Sequence, residues 1–175
     1  MVKIAITGHT SGIGKAFFQS IQEEIIGFSK SNGFDITNIE SRKEIINLSN
    51  DCDIFINNAH DEFGQTEFLI ELFKEWKDYN RQIINIGSRA AHVIIPRDKL
   101  DLLPYAAQKL ALKETVKNCQ GYNCKVDYIR WGYVGTDSTF KKYPNMIDYI
   151  KLDEAVEQIK KLINYAKLDT NRFRL

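Results

Sequence analysis

The stretch Val2-Lys3-Ile4-Ala5-Ile6-Thr7-Gly8-His9-Thr10-Ser11-Gly12-Ile13-Gly14-Lys15 decides the fold. Val2 to Ile6 reads as a buried strand, and Gly12 to about Glu24 as a helix with Ile13, Ala16, Phe17, Ser20 and Ile21 on one stripe. The glycines between them allow a tight turn and a close backbone approach to a phosphate. The helix N-terminus adds free N–H groups and a positive dipole end. The spacing is G-x3-G-x-G, not the general dinucleotide pattern G-x-G-x-x-G. A triphosphatase loop is excluded, because its first glycine would fall on His9 and the residue after Lys15 is Ala16.

Outward from this stretch, short apolar runs alternate with helical patterns. Strands are expected at Ile25 to Phe28, Asp53 to Asn57, Gln82 to Gly87 and Cys124 to Arg130, with a vestigial strand at Phe34-Asp35-Ile36 and an edge strand over Arg172 to Leu175. Helices are expected at Glu40 to Ser49, Thr66 to Tyr79, Pro104 to Asn118 and Asp153 to Ala166. Such alternation predicts an α/β fold with a doubly wound parallel sheet, in a single domain over residues 1–175. Ligands of such sheets bind at the carboxyl ends of the strands.

Composition narrows the function. A net charge of +1 gives no argument for nucleic acid or an anionic membrane. No apolar run approaches the roughly 18 residues of a membrane span, and the apolar N-terminal stretch is too short for a signal peptide. Cys52, Cys119 and Cys124 have no metal-ligand spacing and read as reduced thiols of a cytoplasmic protein. His9, His60 and His92 are scattered, so no metal site is expected.

Tyr105 and Lys109 lie four residues apart on one expected helix, hence on one face. An ammonium beside a phenol favours the phenolate and makes the tyrosine a usable acid or base. Ser88 ends the strand before that helix.

Five ordered landmarks carry a resemblance to the short-chain dehydrogenase/reductase family. The turn Thr7 to Gly14 resembles TGxxxGxG, and Asn57-Asn58-Ala59-His60 resembles NNAG with His60 in place of glycine. Ile86-Gly87-Ser88 resembles the segment of the catalytic serine, Tyr105 and Lys109 match YxxxK, and Arg130 to Thr136 resembles PG-x-V-x-T with Trp131 in place of proline. The resemblance implies a Rossmann fold and an oxidoreductase that interconverts a carbonyl and a hydroxyl group by hydride transfer. Ser88, Tyr105 and Lys109 would be catalytic. Gly8, Thr10, Ser11, Gly12, Ile13, Gly14, Asn58, Ala59, Val134 and Thr136 would bind the dinucleotide, joined by Tyr105 and by Lys109 on the nicotinamide ribose. Asn57 would help fix the strand end, and Asp35-Ile36 resembles the pair that contacts adenine.

Cofactor choice follows from position. An acidic residue about 20 residues past the turn would bind the ribose of NAD. The stretch here is Phe28-Ser29-Lys30-Ser31, where Ser29 and Lys30 suit a 2′-phosphate, so NADP is preferred; NAD would be preferred if Asp35 reached the ribose. The chain departs from the family in three places. The stretch from Asn57 to Ser88 holds one helix and no match for the relay asparagine, with Gln65 and Thr66 near its start. The insert Arg89 to Leu103 offers Ile94, Ile95 and Pro96 as a substrate wall. The lid after Thr136 is reduced, with Tyr133, Phe140, Tyr143 and Met146 suggesting an aromatic pocket. The expected partner is a small-molecule substrate, bulky or carried on a protein, and the resemblance implies a homodimer or homotetramer across the helices Thr66 to Tyr79 and Pro104 to Asn118. The alternative is a non-catalytic NAD(P)-binding sensor or scaffold. A sugar-nucleotide epimerase is disfavoured for want of a large C-terminal substrate domain.

Overall fold

The apolar runs do assemble into one parallel sheet, in the order β2-β1-β3-β4-β5. The computed structural model describes residues 2–172, of which residues 164–172 are described by their backbone alone. The strands are β1 (Lys3–Thr7), β2 (Glu24–Phe28), β3 (Ile54–Asn57), β4 (Gln82–Ile86) and β5 (Lys125–Ile129). The helices are α1 (Gly12–Ser20), α2 (Ile39–Leu48), α3 (Gly64–Trp76), α4 (Leu103–Asn118), α5 (Asp137–Lys142) and α6 (Leu152–Arg172). From β1 the chain builds outward first to β2 and then, on the other side, to β3, β4 and β5. The switch point therefore lies between β1 and β3, which pair through Ile4–Ile54, Ala5–Phe55 and Ile6–Ile56.

Strands covered on both faces should read as continuous apolar runs, because each residue meets one helical layer or the other. Ile83 packs with Phe55, Phe68, Leu72, Trp76 and Leu112 on the side of α3 and α4. Its neighbour Ile84 packs with Ile4, Ile6, Phe17, Ile159 and Ile163 on the side of α1 and α6. Fully burying an aliphatic or aromatic side chain contributes roughly 1.5–3 kcal/mol, so these two layers fix the register of the strand ends. Asn57 then lies opposite Asn85.

Three expectations change. Phe34-Asp35-Ile36 is not a strand but an irregular link, in which Asp35 accepts from Thr37 and Asn38 caps α2 by accepting from Glu40 and Ser41. Its alternation is real, since Phe34 and Ile36 both pack inward against the α3 side, but no neighbouring strand pairs with it. The first helix ends at Ser20, because Glu24 already opens β2. The last helix runs through Arg172, so the edge strand expected there begins in helix, and residues 173–175 lie outside the described residues.

Candidate functional site

The carboxyl ends of β1, β2 and β3 surround a cavity of about 480 Å³. The glycine turn forms one wall. Gly8 has φ +74°, and a Cβ at Gly14 would lie 2.2 Å from the carbonyl oxygen of Gly8, so the start of α1 can sit this close to β1 only without a side chain. Ser11 does not cap α1 with its hydroxyl, so the first-turn N–H groups keep no side-chain partner. Asn58 ties the turn to β3: its side-chain amide donates to the carbonyl of Thr7 at 3.0 Å, and the Thr7 hydroxyl accepts from the backbone N–H of Asn58 and of Ala59, each at 3.1 Å. Gly8, Thr10, Ser11, Asn58 and Ala59 all line the cavity. Gly12 faces Thr136, whose Cγ2 lies 3.6 Å from the place of a Gly12 Cβ. Ile13 instead packs toward the α1 and α6 layer.

The far wall carries Ser29, Lys30 and Ile36. The Ser29 hydroxyl bonds that of Ser31 at 2.8 Å. Lys30 pairs with Asp35 at 3.1 Å and with Asp61 at 2.5 Å. Hydrogen bonds to Asp61 and then Asp35 raise the pKa of this exposed lysine, while bonds from Thr37 lower that of Asp35. The absence of a carboxylate beside Lys30 in the chain thus does not hold in space. Asp61, 31 residues away, supplies one from the link between β3 and α3.

At the other end, α4 presents Tyr105 and Lys109 on one face, with the Lys109 ammonium 5.8 Å from the centre of the Tyr105 ring. Pro104 near the first position of α4 is compatible with a helix start, where no N–H is needed. Tyr105 is 36% exposed and Lys109 only 3%. The ammonium donates to Gln65 Oε1 at 2.7 Å and to the carbonyl of Ile86 at 3.1 Å. With two neutral acceptors and no carboxylate in contact, burial pushes the pKa of Lys109 down to about 7.

Ser88 follows β4 and is largely buried. Its hydroxyl accepts from the N–H of Ala90 at 3.1 Å, and its own N–H donates to the Tyr128 hydroxyl at 3.2 Å. Burial pushes the Tyr128 phenol up. Asn57 does fix its strand end, donating to Asn85 Oδ1 at 2.9 Å and to the carbonyl of Gln65 at 3.0 Å. Val134 is buried and pairs with Ile150 across the base of the lid. Thr136 caps α5, accepting from the N–H of Thr139 at 3.3 Å. The aromatics expected in a lid are paired off, Tyr133 on Tyr143 and Phe140 on Tyr149.

Three site neighbours could not be assigned from the chain alone. His60, where the family motif has glycine, sets its ring edge-on to Tyr105 at 4.9 Å. The residue is exposed as a whole, yet crowding of its ring and then the Lys109 charge bring its pKa down to about 4, so it is neutral at working pH. Gln65 was visible only as a polar residue on a helix start, and Tyr128 only as a strand aromatic. Among the described residues, no group of three or more His, Cys, Asp or Glu could hold a metal, and no helix is long and apolar enough to cross a membrane. The three cysteines are free and buried.

A glycine turn, a switch-point cavity and a serine, tyrosine and lysine at the strand ends invite comparison with solved structures. The chain is 20% identical to 4-hydroxyisoleucine dehydrogenase complexed with NADH, over 93% of this chain and 91% of that one, at TM-score 0.76. It is 19% identical to a short-chain dehydrogenase from Burkholderia cenocepacia J2315 in complex with NADP, over 89% and 81%, at TM-score 0.74. The closed form of serine dehydrogenase complexed with NADP+ is 16% identical over 90% and 87%, at TM-score 0.70. The fold is that of the short-chain dehydrogenases. No family model and no curated protein matches the sequence. Within this fold, the described residues form five parallel strands, and an isolated bridge joins Val134 and Ile150.

Proposed function

We propose that the protein is an NADP-dependent oxidoreductase that interconverts a carbonyl and a hydroxyl group, with Tyr105 as acid and base. The observation that carries this reading is the placing of Lys109 beside Tyr105 on α4, at the same strand ends as Ser88 and the glycine turn. The residues fit a dinucleotide. The crowding at Gly8 and Gly14 leaves backbone where side chains would stand, and the uncapped start of α1 offers N–H groups to a phosphate. When bound, the nicotinamide supplies or takes the hydride.

The chain's own residues handle the proton. In reduction the Tyr105 hydroxyl gives its proton to the substrate oxygen and becomes a phenolate beside the Lys109 ammonium, which lies 5.8 Å from the centre of the ring. In oxidation the proton returns to Tyr105. Ser88 turns its hydroxyl proton to the substrate oxygen, while its lone pair stays on the N–H of Ala90. Preference for NADP rests on Lys30 with the Ser29 and Ser31 hydroxyls at the cavity wall. There a 2′-phosphate would compete with Asp61 for the lysine. The substrate is a small molecule, free or carried on a protein, in an open site under the aromatic lid. Ile70 on α3 and Leu110 on α4 are exposed, which supports a homodimer or homotetramer across these helices; light scattering that returns a monomer would end that assignment. A cytoplasmic setting fits the three free thiols.

The test is an NADPH-oxidation screen over aldehydes, ketones and acyl-carrier substrates with Tyr105→Phe alongside. The variant should bind NADPH as the wild type does and lose turnover by roughly 10²–10⁴-fold, the range of acid–base catalysis. Equal turnover by both proteins on every substrate overturns the mechanism. A second reading, a non-catalytic NAD(P)-binding sensor or scaffold, draws on the His60 ring that stands perpendicular to that of Tyr105 at 4.9 Å. It predicts nucleotide binding with no turnover of any substrate.

A further inference from the structure

Gln65 is 2% exposed and both donors of its side-chain amide are used. Its Nε2 donates to the carbonyl of Asn57 at 2.7 Å and to that of Ile86 at 3.1 Å, the last residues of β3 and β4. Those two carbonyls can only accept. They therefore settle which way the carboxamide lies: Nε2 faces the strand ends and Oε1 faces Lys109, 2.7 Å from the ammonium. Ile86 O closes the arrangement by accepting from both side chains. The backbone of Gln65 is pinned as well, through Asn57 Nδ2, which also bonds Asn85. The ammonium is thereby held by a side chain that is bonded at both ends of its carboxamide.

Chemistry limits what could stand at this position. A carboxylate would face the two strand-end carbonyls with no proton to offer and would neutralise the lysine. An apolar side chain would leave Lys109 with Ile86 O alone. A carboxamide both donates to the carbonyls and accepts from the ammonium without cancelling its charge.

We propose that Gln65 is a positioning residue whose neutral carboxamide fixes the Lys109 ammonium beside Tyr105 and leaves its charge available to the phenolate. This rests on the oxidoreductase reading for its purpose, but its test does not. The titration of Lys109 can be followed by NMR of lysine labelled at Cε, in the full chain without cofactor or substrate. Gln65→Glu should raise the midpoint by more than one pH unit through the new ion pair. Gln65→Met should shift it down from the wild-type value of about 7. Where turnover is found, Gln65→Glu should lower kcat and displace its pH limb, with KM changed less than twofold. Wild-type midpoints in both folded variants overturn the proposal, whatever the activity screen returns. If neither variant folds, the wild type decides. Ammonium protons of Lys109 that exchange slowly support the anchor, and a freely exchanging ammonium with a midpoint near the ordinary 10.5 overturns it.

Discussion

Lys30, at the β2 end of the crevice, is exposed and flanked by the carboxylates of Asp35 and Asp61, whereas Lys109 on α4 is buried among neutral acceptors. Their proton affinities move in opposite directions, up for Lys30 and down for Lys109. Solvent explains the contrast. At the open end, water solvates the ammonium and the carboxylates add modest, salt-screened attraction. At the closed end, the charged form loses its hydration and receives only dipoles in return. An exposed lysine of this kind suits recognition of an anion, whereas a buried one near neutrality suits influence over a neighbouring proton.

The largest test of the contrast is the pH dependence of stability. The folded pKa of Lys109 lies below its unfolded value of 10.5, so between about pH 7 and pH 10.5 the unfolded chain binds the extra proton. Stability should therefore rise with pH across that window. Lys109→Met should lack this rise, and the difference between the two proteins should reach on the order of 3–5 kcal/mol by denaturant titration at several pH values. Parallel curves would mean that Lys109 is not held as a depressed cation. A smaller effect is expected at the other end. Asp61→Asn removes the closer competitor for Lys30 and should tighten NADPH several-fold relative to NADH, by about 1 kcal/mol. Fluorescence titration that shows NADH gaining more would assign Lys30 to ion pairing alone. The smallest effect should come from Lys30→Met, which should leave the denaturant midpoint at neutral pH almost unchanged, as the loss of an exposed ion pair does.

What the chain discloses of these two ends follows the range of the interactions. The turn from Thr7 to Gly14 and the pair Tyr105 and Lys109 are local patterns, readable because glycine and a four-residue helical spacing have local causes. The strands β1, β3 and β4 are readable because burial on both faces demands apolar runs. Phe34 to Ile36 misleads for the same reason: it alternates as a strand would, yet its inward residues pack from a link that pairs with nothing. Asp61 on Lys30, Gln65 on Lys109 and Tyr128 on Ser88 arise from residues 31, 44 and 40 positions apart. No periodicity encodes such meetings, because the packing of helices and links on the sheet decides them. His60 stands out in the chain as a departure from a motif, but its contact with Tyr105 depends on where α4 begins.

The span from Tyr133 to Ile150 is tethered at both ends, where Gly135 donates to Ile150 at 2.9 Å and Ile150 to Tyr133 at 2.8 Å. It behaves as a stirrup rather than a flap. Its closure entropy is already spent on these bonds, so a guest that orders its middle has only that middle to immobilise. Its reach is capped in the same way, since feet that stay paired cannot travel. On the proposed function, shortening or lengthening the strap between residues 143 and 149 should change the size of guest admitted while leaving Tyr105 and Lys109 on α4 where they stand.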